Sequence, residues 1–250
     1  MDTPRGGLGG QPQVPLPRGG PAIEPRSERG AGASARFPAM NGRGRLTGTF
    51  LFAFMMALFE AAVVVYLRRL WELQEIDLTH ATLENLLIRT EILREAASLG
   101  MIATVAWLAG RRGLERLALG AIIFGVWDIF YYIDLHFLMG WPSSPLDWDI
   151  LFLIPRPWIG PVLAPSLVSV ALIVCGLLLV RREDRWPVRP AGRSWILSLA
   201  GGAIVIVSFL LPTVPATATA VPTGFSWPIF GIGLALALAG FAHAYTRRPR

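Results

Sequence analysis

Residues 47–67 read TGTFLFAFMMALFEAAVVVYL, and this stretch decides the fold. An α-helix of about 20 mostly apolar residues crosses the ~30 Å hydrocarbon layer of a bilayer. This stretch has that length, and its single charged side chain is Glu60. Five further apolar stretches follow, which gives six predicted spans at residues 47–67, 92–110, 117–139, 162–180, 194–212 and 227–246. The sequence therefore predicts an all-α, polytopic membrane protein with a six-helix transmembrane bundle over residues 46–250.

The composition also favours burial in lipid over a soluble domain. Of 250 residues, 53% are hydrophobic and only 16% are charged, which lies outside the usual range of soluble proteins. The net charge is +6 at pH 7, and all 23 lysine-or-arginine positions are arginine. These arginines lie in short blocks between apolar runs, whereas a nucleic-acid-binding domain gathers its basic residues on one face. We therefore expect the lipid bilayer, and no nucleic acid, as the partner of this chain.

The distribution of arginine predicts the topology, because cytoplasmic loops hold an excess of basic residues. Seven arginines precede the first span, three lie in the second loop, five in the fourth and three at the C-terminus, or 18 of 23. The remaining five accompany acidic residues in or beside the other loops. We therefore predict a multi-pass protein of the cell membrane with both termini in the cytoplasm.

Residues 1–45 are predicted to form a disordered cytoplasmic tail. They are rich in Pro, Gly and Arg and have almost no large apolar side chains, so they bury too little surface to offset the entropy of ordering. Met40 is followed by the short basic leader NGRGR before the first span. A translation start at Met40 is therefore an alternative to Met1.

Two segments differ from plain spans. Residues 74–91 mix Leu and Ile with charges at helical spacing and run into the second span without a break, which predicts an amphipathic extension of that helix. Residues 140–165 contain six prolines among aromatic and aliphatic residues, which excludes a continuous helix. We expect this outer loop to fold back as a lid over the helix ends, because apolar, non-helical backbone at membrane depth needs shelter from lipid.

Carboxylates inside the predicted spans are the sharpest functional signal, because an ionised group at the centre of a span costs about 2.5–3.5 kcal/mol. Glu60 and Asp128 lie deepest, and Glu91 and Glu95 share a face at the outer end of the second span. On the third span, Asp128 is followed at intervals of four by Tyr132 and His136, which places all three on one face. Almost every such group falls in the middle or outer half of the bundle. This distribution predicts a polar cavity that opens to the outside.

Two chemistries suit these residues. Protons or cations are one ligand class, with Glu60, Asp128, Glu91, Glu95 and Tyr132 as the candidate binding residues. A divalent metal is the other, with Glu60, Glu95, Asp128 and His136 as candidate ligands. The metal signal is weaker, because the Glu-x-x-His pattern of di-iron bundles and the His-Glu-x-x-His motif are both absent.

Each candidate also has a purely structural explanation. Glu91 and Glu95 flank Arg94 and suit a solvated, partly paired helix end. Asp134 and His136 suit interfacial water, and Asp147 and Asp149 suit a solvated loop or a capping turn. Glu60 and Asp128 are harder to explain in this way, although pairing with an arginine such as Arg94 remains open.

Three functions therefore stay open. The leading hypothesis is a small transport or ion/proton-handling protein with an acidic site in the outer half of helices 1–3. The alternatives are an accessory structural subunit of a larger membrane complex and a metal-dependent membrane enzyme that acts on a lipid or small molecule. The small-residue stripe Gly231, Ala235 and Ala239 predicts close helix packing within the bundle, with a membrane-protein partner or a homo-oligomer as the second possibility.

Overall fold

The computed structural model describes residues 42–74, 80–183, 188, 190–212 and 224–247, with side chains for all of these except 71–74, 80–85 and 183. The tail predicted over residues 1–45 therefore lies outside the described residues up to Asn41. The same holds for residues 75–79 of the predicted amphipathic extension.

Six helices in the described part of the chain are long and apolar enough to cross a membrane. This confirms the predicted all-α six-helix bundle and is the organisation of a multi-pass integral membrane protein. The helices are α1 Gly42–Gln74, α2 His80–Ala109, α3 Gly113–Met139, α4 Leu163–Glu183, α5 Gly192–Leu210 and α6 Trp227–Thr246.

The helices α1 and α2 are much longer than the predicted spans because they continue beyond the apolar segment. The helix α1 begins at Gly42, inside the predicted tail. Its first turn is held by Arg45, which forms a buried ion pair of 2.5 Å with Glu115 and donates to the Ala109 carbonyl at 2.9 Å. The described helix therefore includes the last four residues of the segment predicted as a tail. The helix α2 begins at His80 and contains residues 80–91 of the predicted extension.

Helix packing relies on small residues. Ala53, Ala57 and Ala61 recur every fourth residue along α1 and are fully buried, and α1 packs extensively against α3. The helices α5 and α6 approach most closely at Gly201, where an added Cβ would lie 2.6 Å from the carbonyl oxygen of Gly233. Small side chains let helix backbones come close and gain van der Waals contact, which is the main source of helix association in lipid.

The proline-rich segment between α3 and α4 forms an antiparallel hairpin of two strands, β1 Trp148–Phe152 and β2 Trp158–Pro161. The sequence predicts a non-helical lid here but not the strands. The hairpin packs against the bundle: the Trp158 ring stacks on Phe209 near the end of α5, with ring centroids 6.4 Å apart, and Phe152 stacks on Phe124 in the middle of α3, at 6.3 Å. We call the side of the bundle that carries it the hairpin end.

Candidate functional site

An ion-paired cluster joins α1 to α2 and consists of Glu60, Glu91, Arg94 and Ser98; we call it the Arg94 cluster. The Glu60 side chain is only 1% exposed, and one of its oxygens forms an ion pair with the Arg94 guanidinium. Its other oxygen accepts a hydrogen bond from the Ser98 hydroxyl. Arg94 also donates its Nε–H to Glu91 at 3.0 Å. One guanidinium therefore serves two carboxylates.

Helical spacing explains why α2 supplies three members of this cluster. Glu91, Arg94 and Ser98 lie at positions i, i+3 and i+7 of one helix, and such residues share a face. Glu95 lies on the adjacent part of that face, where both of its oxygens are 3.0 Å from the backbone N–H of Leu153, just after β1. This face of α2 therefore contacts α1 through Arg94 and the hairpin through Glu95.

Asp128 of α3 lies in a different environment. It is buried, and its Oδ2 accepts a hydrogen bond of 2.7 Å from the Ser169 hydroxyl of α4. The helices α3 and α4 pack closely at this point: an added Cβ at Gly125 would lie 2.6 Å from the Ser169 carbonyl oxygen. Among the residues that the structure describes, Asp128 has no ion-pair partner.

A second polar cluster ties the hairpin to α1 and α3. The Tyr132 hydroxyl donates to Asp149 Oδ2 at 3.1 Å, and Arg68 Nη2 lies 4.0 Å from Asp149 Oδ1. The Arg68 guanidinium also lies over the Trp141 ring, 4.0 Å from its centroid. The Asp149 side chain is 11% exposed, and burial raises its pKa to about 6 against the opposing effects of Arg68 and Tyr132.

These groups surround one end of a cavity of about 1020 Å³. The cavity is lined along α3 from Leu114 to Tyr132, a distance of about 27 Å at 1.5 Å per residue, which is close to the thickness of the hydrocarbon layer. Among the described residues, the charged side chains that line it belong to α1, α2, β1 and to α3 from Asp128 onward. They are the carboxylates Glu91, Glu95, Asp128 and Asp149 and the guanidinium groups Arg68 and Arg94.

The structure separates the two deepest predicted carboxylates. Asp128 lines the cavity, whereas Glu60 lies behind Arg94 and Ser98, which line it instead. Of the three residues predicted to share a face of α3, Asp128 and Tyr132 line the cavity. His136 lies outside the lining and is exposed, and its Nδ1 is 2.8 Å from the Pro142 carbonyl oxygen, where the chain turns back after α3 ends.

The four candidate metal ligands do not converge. Glu60 contacts Arg94, Glu95 contacts the backbone of Leu153, Asp128 contacts Ser169 and His136 contacts Pro142. Among the described residues, no group of three or more His, Cys, Asp or Glu side chains is placed to hold a metal ion. The geometry therefore gives the predicted divalent-metal site no ligand set.

Sequence reasoning missed several members of the site. Ser169 is a short side chain within an apolar run, and Ser98, although it shares a face with Glu91 and Arg94, is a residue type that does not by itself predict a site. Asp149 was expected in a solvated loop, and this is wrong, although Asp147 does cap a turn by accepting from the Ser143 N–H at 2.7 Å. The neighbouring residues did distinguish the two aspartates. Asp149 precedes the apolar run ILFLI, which favours burial, whereas Asp147 follows the turn residues Ser143 and Ser144, which favours a capping role.

No protein-family model, no curated protein and no solved structure matches the chain, so its function is inferred from the chemistry of these side chains.

Proposed function

We propose that this chain is a small membrane transport or ion-handling protein that binds a proton or cation at the acidic end of the cavity. The observation that supports this proposal is Asp128. It is a buried carboxyl group within a membrane-spanning helix, it lines a large cavity, and its partner is a neutral serine hydroxyl. An ionised carboxylate at this depth is costly unless a proton or a cation compensates it.

The charge balance of the cavity supports the same conclusion. Among the described residues, four carboxyl groups and two guanidinium groups line it, and Arg94 is also the ion-pair partner of Glu60 outside the lining. Carboxylates are therefore in excess. In a medium of low dielectric constant, such an excess favours uptake of protons or cations, because each one lowers the repulsion among the remaining charges.

The side chains have separable tasks in this proposal. Asp128 binds the proton or cation. Tyr132 lies one helical turn from Asp128 and donates to Asp149, so the three residues form a line of titratable groups from the hairpin end into the bundle. Glu60 positions Arg94 and does not meet the ion, because the Arg94 guanidinium and the Ser98 hydroxyl lie between Glu60 and the cavity.

The test is a flux measurement in liposomes that contain the purified protein and an entrapped pH dye. A potassium diffusion potential is imposed with valinomycin, and the internal pH is followed with and without external Na⁺. We expect faster proton or cation-coupled flux than in protein-free liposomes, and we expect Asp128→Asn to reduce it to the protein-free rate. The matched control is Asp134→Asn, on the same helix but outside the cavity lining. Full flux in Asp128→Asn, or none in the unchanged protein, would contradict the proposal.

The ion pair between Glu60 and Arg94 favours a second candidate, the accessory subunit of a larger membrane complex. In that role the buried charges stabilise the bundle and carry no ion. This candidate predicts a stable partner that co-purifies from native membranes. It also predicts that Asp128→Asn leaves the complex intact and active. The two candidates therefore differ in the outcome of a single substitution.

A further inference from the structure

A small ion would use only a fraction of the cavity. Below Asp128, the lining continues along α3 to Leu114, which is about 21 Å of helix. Its described side chains there are apolar or uncharged, among them Leu117 and Phe124 of α3, Leu172 of α4 and Phe241 of α6. We call this part the apolar groove. The acyl chains of one leaflet reach about half of the ~30 Å hydrocarbon thickness, so the groove is long enough for one alkyl chain.

The junction between the polar end and the groove contains an aromatic side chain. Trp127 precedes Asp128 and lines the cavity. Aromatic rings, and indole most of all, attract quaternary ammonium groups electrostatically. This observation is independent of the carboxylates and favours a cationic head at the level of Asp128.

We infer that the cavity binds a single-chain amphiphile with a cationic ammonium head, with the head at the carboxylates beside Asp128 and the alkyl chain in the apolar groove. The inference rests on the proposed function, for which it names the class of ligand. Charge complementarity selects the head group. The described residues at the polar end of the lining carry an excess of carboxylates, so a cation neutralises it. A zwitterionic lipid adds a phosphate and leaves the excess unchanged, and an anionic amphiphile increases it.

The chain contains a native reporter for this site. Cys175 of α4 is the single cysteine, it lines the cavity and it is half-buried. An alkyl chain in the groove would lie against it and would slow its reaction with N-ethylmaleimide. The neighbouring Val174 is 50% exposed and lies outside the lining. The double variant Cys175→Ala/Val174→Cys therefore places a matched thiol on the outer surface of the same helix.

The experiment measures the labelling rate of Cys175 in nanodiscs with four probes. These are dodecyltrimethylammonium, dodecyl sulfate, tetramethylammonium and lysophosphatidylethanolamine. They differ in the charge of the head group, in whether they carry an alkyl chain, and in whether they are synthetic amphiphiles or a membrane lipid. We expect dodecyltrimethylammonium alone to slow labelling, and the Val174→Cys thiol to be unaffected by all four. In Asp128→Asn, the concentration needed for protection should rise by about tenfold or more, as for loss of one buried charge partner. In Trp127→Phe, a smaller weakening is expected.

Each other pattern overturns the inference. Equal protection by dodecyl sulfate rejects the cationic head, protection by tetramethylammonium rejects the need for a chain, and stronger protection by the lysolipid identifies a zwitterionic lipid instead. If Cys175 is unreactive in the free protein, equilibrium binding of radiolabelled dodecyltrimethylammonium decides, and binding equal to that of empty nanodiscs rejects the inference. If Asp128→Asn fails to fold, the four probes on the unchanged protein still decide.

The labelling and flux experiments together distinguish a failure of this inference from a failure of the proposed function. Protection by dodecyltrimethylammonium without ion flux would reject transport and keep the binding site. Flux of protons or small cations without protection would keep the proposed function and reject the amphiphile.

Discussion

Removing Arg94 should destabilise the bundle far more than removing either of its carboxylate partners. The substitution Arg94→Met keeps a long, flexible side chain but leaves Glu60 and Glu91 without their shared cation. Glu60→Gln leaves the pair of Arg94 and Glu91 intact, and glutamine still accepts the Ser98 hydroxyl. The double variant Glu60→Gln/Arg94→Met removes both charges of the buried pair together.

The expected magnitudes follow from burial. Glu60 is almost completely inaccessible, and Arg94 is 20% exposed. Leaving one member of a buried ion pair unpaired costs about 3–5 kcal/mol, whereas replacing both members by neutral residues is often close to neutral. We therefore expect Arg94→Met to lower the free energy of unfolding by about 3–5 kcal/mol. The double variant should lose no more than about 2 kcal/mol, so that the two substitutions are strongly non-additive.

The assay is unfolding by sodium dodecyl sulfate in mixed micelles, followed by circular dichroism, for all members of the cycle. Arg89→Met is the matched control, because Arg89 lies on the same helix and is exposed. That substitution should change stability by less than about 0.5 kcal/mol. The reasoning fails if Arg94→Met is no worse than Arg89→Met, or if the double variant shows the simple sum of its parts.

Three further predictions concern other parts of the bundle and use the same unfolding assay. Gly201→Ala should destabilise by about 1–3 kcal/mol because its Cβ would meet the backbone of α6, whereas Gly202→Ala, with open space beside it, should be neutral or stabilising; equal effects would contradict this. Because the Asp149 pKa is raised from 3.8 to about 6, its ionisation disfavours the folded state, so stability should fall between about pH 4 and pH 6. Asp149→Asn should then be more stable than the unchanged protein by up to about 3 kcal/mol at pH 7 and equal to it near pH 3; a difference that does not vary with pH would refute this. Glu115→Gln should cost about 3 kcal/mol because Arg45 is then buried without a carboxylate; an unchanged midpoint would show that this pair contributes little.

The fold was predictable because membrane spans depend on properties that need no knowledge of neighbours. Length and apolar composition were enough to find six helices. The ends were less predictable, because a helix continues into polar sequence whenever its side chains find partners. Arg45 shows this at the start of α1, where a charged residue in a segment predicted as a tail forms a buried pair with Glu115.

The hairpin was predictable only as an absence of helix. Its prolines exclude a helix, but the pairing of Asp149 with Gly160 and of Ile150 with Ile159 depends on which residues form the turn between them. A shift by one residue would move Asp149 to the other face of the strand. Its burial beside Tyr132 was therefore not available from the sequence.

The candidate site was predictable in its residue types but not in its pairings. The contact between Glu91 and Arg94 is local, at a separation of three residues on one helix, and the sequence contains it. The contact between Glu60 and Arg94 depends on how α1 is rotated relative to α2, which hydropathy does not specify. Two carboxylates that look equivalent in the sequence therefore differ in the structure.

That difference is the strongest reason to assign activity to Asp128 rather than to Glu60. Both residues carry the cost of an acid inside the hydrocarbon layer, and Arg94 offsets it for Glu60. The Ser169 hydroxyl is a much weaker compensation for Asp128. An asparagine would accept the same hydrogen bond through its carbonyl oxygen without any ionisable group. The hydrogen bond to Ser169 therefore does not require an ionisable group, and this is the ground on which we propose that the proton or cation exchanges at Asp128.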